Sequence, residues 1–122
     1  MVREKLSHEN LDVYRLARQF AVDLYRETSK FPAEERFGLA SQIRRAAVSI
    51  PANIAEGAGR RSKKEFARFL LTARGSSAEL RVLLEVAHET GILSDERFLA
   101  CEQTVDRISS MTSGLIRHSS SR

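Results

Sequence analysis

The sequence predicts an all-α protein, an antiparallel up-down-up-down four-helix bundle with a Pro-kinked second helix. Three observations lead there. The 122 residues include only two Pro and six Gly, too few for a many-turned sheet protein. Apolar residues recur at three- and four-residue spacing in four long segments. The connections between those segments are short, so each helix runs antiparallel to its predecessor. The length suits a single domain over 1–122, and 42% hydrophobic with 30% charged residues is the balance of a folded chain rather than a disordered one.

The first helix is expected over about 11–29. Asn10 is a good N-cap, and Val13, Leu16, Ala17, Phe20, Ala21 and Leu24 make one apolar stripe. Phe31-Pro32 breaks the chain and opens the second helix, over about 33–57, because Pro at a first helical position gives up no intrahelical bond. Its apolar residues exceed one stripe. Phe37, Ile43, Ala47, Ile50 and Ile54 fill one side, while Leu39, Ala40, Ala46, Val48 and Ala55 spread over others, as in a helix buried on more than one face. Pro51 excludes the hydrogen bond to residue 47 and so should kink this helix, and Gly57 is expected to stop it.

Ser62 with Glu65 reads as a capping box for a third helix over about 62–90, whose stripe is Phe66, Phe69, Leu70, Ala73, Ser77, Leu80, Leu84 and Ala87. Ser94 caps the fourth, over about 95–117, with the stripe Phe98, Cys101, Val105, Ile108, Thr112 and Leu115. The closing HSSSR reads as a frayed tail.

Charge is unevenly spread. From Arg36 to Arg81 ten Lys and Arg face only Glu56, Glu65 and Glu79, a local excess of seven in a chain whose net charge is +4. Such asymmetry points to a polyanionic partner, DNA or RNA. The sharpest concentration is EGAGRRSKKEF, where Arg60, Arg61, Lys63 and Lys64 stand at the start of the third helix. A helix N-terminus is itself partly positive, so cations there are unfavourable by roughly 0.3–1 kcal/mol each until an anion arrives. In a hairpin turning near Gly59-Arg60, Glu56 lies level with Lys63 and Lys64, and Arg44 and Arg45 lie level with Arg74. The candidate nucleic-acid-binding set is therefore Arg44, Arg45, Arg60, Arg61, Lys63, Lys64, Arg68 and Arg74. The alternative is that these charges form salt bridges and a solvated face on an oligomeric protein–protein scaffold with no nucleic-acid role. Tyr14 and Tyr25 fall on the first helix, away from the cations, which leaves no base-stacking platform in the sequence.

Other chemistry is poorly supported. Gly57-Ala58-Gly59 lacks the Gly-Lys-Ser/Thr ending of a phosphate-binding P-loop and follows a helix rather than a strand. Glu85 and His88 have the Glu-x-x-His spacing of di-iron bundles, but no second copy accompanies them, so neither metal nor cofactor is expected. Cys101 sits on an apolar stripe as an inert thiol, no catalytic constellation is present, and the chain reads as non-enzymatic. A lone cysteine, no apolar run after Arg3 and Lys5, and no segment near the roughly 18 apolar residues of a membrane span suggest a cytoplasmic protein without membrane contact.

The stretch Gln42 to Leu80, QIRRAAVSIPANIAEGAGRRSKKEFARFLLTARGSSAEL, strongly resembles the four-helix-bundle family encoded in intervening sequences of bacterial ribosomal RNA genes, sometimes labelled ribosomal-protein-like. The likeness extends to Asp12-Val13-Tyr14, Phe31-Pro32 and Gly91-Ile92-Leu93. The resemblance implies a cytosolic homo-oligomer, a pentameric ring, and similarity to the accessory protein of diversity-generating retroelements, which binds nucleic acid and a reverse transcriptase. It brings no catalytic residues. On this reading the protein is an oligomeric bundle that binds nucleic acid through a basic surface, as an adaptor for a nucleic-acid-processing partner.

Overall fold

The computed structural model describes residues 11–120. Four helices follow one another: α1 over Asp12–Thr28, α2 over Leu39–Ala58, α3 over Lys63–Glu89 and α4 over Asp95–Ser120, with a 3-10 turn at Ala33–Glu35 before α2. No strand occurs among the described residues. Each helix packs on its chain neighbours, α1 closes on α4 more loosely, and the diagonal pairs α1–α3 and α2–α4 make no close backbone approach. That is the square cross-section of an up-down-up-down bundle.

The expected stripes form the core. Val13, Ala17, Phe20, Ala21 and Leu24 from α1 meet Ile43, Ala47, Ile50 and Ile54 from α2, Leu70, Ala73, Leu80, Leu84 and Ala87 from α3, and Cys101, Val105 and Ile108 from α4. The polar groups drawn into this core are satisfied locally. The Ser77 hydroxyl donates to the Ala73 carbonyl at 3.2 Å and the Thr112 hydroxyl to the Ile108 carbonyl at 2.7 Å. Arg81 ties α3 to α4 from the surface, reaching Glu102 at 2.8 Å and also Asp106.

The helix ends differ from expectation in instructive ways. Asn10 lies outside the described residues, and α1 opens after Leu11 without a side-chain cap. Beyond Pro32 the chain makes only the single 3-10 turn, and α2 starts six residues later than expected, after Gly38, with the Leu39 amide donating to the Glu35 carboxylate at 3.2 Å. Phe37 is thereby left out of the helix and 86% exposed, with the Arg36 guanidinium over its ring, rather than on the core side of α2. The helix runs through Pro51, which is buried. It also runs through Gly57, which does not stop it. The cap is Gly59, in right-handed backbone, and Gly57 serves packing instead: a Cβ there would stand 2.6 Å from Phe69 Cβ and 3.0 Å from Phe66 Cδ1.

Ser62 caps α3 as predicted, its hydroxyl accepting the Glu65 amide at 3.0 Å, while the Glu65 carboxylate turns to Arg68 rather than back to the cap. Gly91 ends α3 with a φ of +81°, the left-handed conformation that suits glycine. The Ile92 and Gly91 amides bond back to the Ala87 and His88 carbonyls, forming a Schellman closure. Ser94 caps α4 through the Arg97 amide at 3.1 Å. The last helix extends to Ser120, beyond the expected 117, and Ser119 is buried; the end of the expected tail, Ser121 and Arg122, lies outside the described residues.

Candidate nucleic-acid interface

Antiparallel alternation brings the C-terminus of α2, the N-terminus of α3, the N-terminus of α1 and the C-terminus of α4 to one end of the bundle. This end collects Arg60, Arg61, Lys63 and Lys64 from the α2–α3 turn, with Arg117 and His118 in the last turn of α4. The opposite end carries Glu34 and Glu35 on the 3-10 turn and Asp95 and Glu96 in the first turn of α4. The bundle is thus electrically polar along its length.

The four turn cations are not equivalent. Arg60 is held twice, by the Glu56 carboxylate at 2.7 Å and by the Phe69 ring, 4.9 Å from its guanidinium carbon. Arg61, Lys63 and Lys64 are exposed and make no ion pair among the described residues. Glu56 therefore neutralises a turn cation, but it is Arg60, four residues on, rather than Lys63 or Lys64. Arg68 lies one turn further along α3 and pairs with Glu65 at 3.3 Å.

The other three predicted residues lie elsewhere. Arg44 Nε donates to the Thr28 hydroxyl at 2.7 Å, a terminal nitrogen donates to the Tyr25 carbonyl at 3.0 Å, and the guanidinium stacks on the Tyr25 ring, so this side chain closes the C-terminal end of α1. Arg45 borders a polar cleft of about 430 Å³ between α2 and α3, with Ser49, Ser76 and Glu79. Arg74 crosses to the Ser113 hydroxyl on α4 at 3.2 Å. The expected register, which set Arg44 and Arg45 level with Arg74, is not the observed one. Ser49 meets Ser76, Oγ to Oγ 2.7 Å, and Gly57 backs onto Phe66 and Phe69, which centres the α2–α3 hairpin near Ser62 rather than at Gly59-Arg60.

Sequence reasoning assigned Phe66 and Phe69 wholly to the core and so missed that both rings border the basic turn. Phe66 lines a cleft of about 260 Å³ with Leu11, Gly57, Arg61 and Lys63, and Phe69 lines one of about 330 Å³ with Arg60, Arg68 and Thr72. The signal for this was spacing, since Phe66 and Phe69 lie one and two turns from the Ser62 cap.

Elsewhere the titratable groups are engaged locally. Glu85 bonds Arg81 at 3.5 Å, while His88 reaches Asp95 at 2.6 Å and stacks on Phe98. No group of three His, Cys, Asp or Glu placed to hold a metal occurs among the described residues. Burial pushes the Cys101 thiol up, against the opposing pull of Arg97. No helix among the described residues is long and apolar enough to cross a membrane.

A comparison with curated proteins gives no match. In fold, the chain is similar to a crystal structure from Bacteroides thetaiotaomicron described as a protein with unknown function from the S23 ribosomal protein family. The TM-score is 0.78 at 24% identity, over 86% of this chain and 98% of that one. The model of the 23S rRNA-intervening sequence protein family matches residues 9–114. The match covers α1, α2 and α3 whole and α4 as far as Gly114, it includes the basic turn, and on it the chain belongs to the 23S rRNA-intervening sequence protein family.

Proposed function

We propose that this protein is a non-catalytic binding module that gathers nucleic-acid phosphates on its α2–α3 turn and works as an assembly of identical chains. The observation that carries the binding is the trio Arg61, Lys63 and Lys64, exposed at a helix N-terminus without a carboxylate partner among the described residues. A surface evolved only for solubility has no reason to crowd unpaired cations at the positive end of a helix dipole. A phosphate reverses that balance, because the side chains and the helix terminus then attract the same anion. Interactions of this kind are salt-sensitive and weakly dependent on base sequence.

The test is a binding titration at several salt concentrations for wild type and the triple variant Arg61→Gln, Lys63→Gln, Lys64→Gln, using DNA and RNA of unrelated sequences. The variant should bind all of them more weakly, and its logarithmic salt slope should flatten by roughly 0.7–0.9 for each phosphate that it no longer neutralises. The variant fold should be slightly more stable, since cations have left an unfavourable site. Equal affinities and slopes would replace this reading by the scaffold without nucleic acid.

Assembly rests on a second apolar stripe. Leu71, Gly75, Ala78, Val82 and Val86 follow one face of α3, opposite the face that fills the core, and Leu71, Val82 and Val86 are 47, 55 and 45% exposed. The small residues in its middle allow another helix to come close. A second copy of the chain is the occupant we propose, and the number five is what the family resemblance implies. Light scattering at micromolar concentration should give a multiple of 13.7 kDa that Val82→Glu reduces, and a wild-type monomer would refute the assembly.

A further inference from the structure

The geometry points to single-stranded nucleic acid as the occupant of the basic end, with one unstacked base in the cleft beside Phe66 and the adjoining phosphates on Arg61, Lys63 and Lys64. The inference deepens the proposed function and rests on it. The cleft is lined by apolar groups, Leu11 just before α1, Gly57 and Ala58 at the end of α2 and Phe66 on α3, together with Arg60, Arg61, Ser62 and Lys63. Phosphate binding alone would need no such apolar lining. A duplex keeps its bases stacked inside and presents only backbone, whereas a single strand offers charge and a bare aromatic face together.

Size narrows the occupant further. At about 260 Å³ the cleft falls below the roughly 300 Å³ at which pockets for drug-sized ligands begin, so it suits one flat ring system. The Phe66 ring packs against the bare Gly57 backbone, which comes so close that a Cβ there would lie 3.0 Å from its Cδ1. A second aromatic side chain stands across Arg60, where Phe69 borders the neighbouring cleft of about 330 Å³. Arg60, fixed by Glu56 and by Phe69, is the partition between the two, and a strand crossing it would pass from Phe66 to a guanidinium backed by the Phe69 ring.

The experiment compares a fluorescein-labelled single strand, the same sequence as a duplex, and an abasic strand of equal length, all at one salt concentration. Wild type should bind the single strand more tightly than either of the others. Phe66→Leu, which keeps an apolar side chain against Gly57 and removes the ring plane, should weaken single-strand binding by roughly 5- to 150-fold, the range expected when one base stack is removed. Its duplex affinity and salt slope should stay at wild-type values. The abasic strand tests the same point without altering the protein. Equal binding of all three by wild type would overturn the base cleft and leave the phosphate reading standing. Absence of salt-dependent binding to any of them would overturn both.

Discussion

Gly57→Ala tests whether the basic turn owes its shape to the close approach of α2 and α3. A methyl group at 57 would lie 2.6 Å from Phe69 Cβ, 3.0 Å from Phe66 Cδ1 and 3.3 Å from the Phe66 carbonyl. The Phe66 ring can swing by a few tenths of an ångström, but Phe69 Cβ is fixed to the α3 backbone, so the two helices must part. Forcing an extra methyl into a packed interface costs about 1–3 kcal/mol. Ala is better than Gly inside a helix by about 1 kcal/mol, which offsets part of that cost. The net expectation is a loss of about 0–2 kcal/mol, and its sign is clearest against a control. Gly114→Ala places a methyl in α4 with nothing nearer than the Arg117 guanidinium at 3.8 Å, so it should keep the whole propensity gain of about 0.5–1 kcal/mol. Urea unfolding of both variants by circular dichroism, at one protein concentration, should therefore separate them by about 1–3 kcal/mol, Gly57→Ala being the weaker. Equal midpoints, or a Gly57→Ala that matches Gly114→Ala, would show that the helices do not depend on the bare backbone at 57.

Three other outcomes follow from the same geometry. Ser62→Ala removes the hydroxyl that accepts the Glu65 amide, and should cost about 0.5–2 kcal/mol in the same unfolding assay. Arg44→Met should cost about 1–3 kcal/mol, because it deletes two hydrogen bonds to the end of α1 and a stack on Tyr25, yet nucleic-acid affinity measured by anisotropy should not change. Cys101 is 2% exposed with its thiol pushed up by burial, so at neutral pH it stays protonated; Ellman's reagent should modify it only as fast as the fold opens, and immediate labelling of native protein would contradict the packing.

The four helices were legible because their core stripes hold one period over several turns, and because Ser62 and Ser94 announce two helix starts with side chains that bond the following amides. The start of α2 was misread because Pro32 at a helix N-terminus carries the same signal whether a full helix or one 3-10 turn follows it. Gly38, with Glu35 three residues before it, was the competing mark. Gly57 was misread for a related reason. A glycine near a helix end serves either as a left-handed stop or as a point of close approach, and only the partner helix distinguishes them. For the candidate site, the sequence located the cations but not their relations, since a register error of a few residues between α2 and α3 moves Arg44, Arg45 and Arg74 onto different grooves. It also hid the aromatic lining, because a ring at the end of a core stripe can face the core and the surface together.

Bundle polarity and the proposed assembly bear on each other. A cyclic arrangement relates its copies by rotation about one axis, and rotation preserves direction along that axis. Chains packed side by side through the α3 stripe, with their bundle axes along that rotation axis, would accordingly present every basic turn on one face and every acidic end on the other. An antiparallel pairing on the same stripe would instead send the basic turns to opposite ends, and a second turn would then add nothing to the first on a short strand. On a shared face the turns act together, and linked sites commonly gain roughly 10²–10⁴ in overall affinity without any new kind of interaction. Val82→Glu consequently separates the two arrangements. If the basic turns share a face, breaking the assembly should weaken binding of long strands far more than of short ones, although residue 82 lies on α3 well away from the α2–α3 turn. If they do not, mass will fall and affinity will hold, and the ring would have no part in gathering the strand.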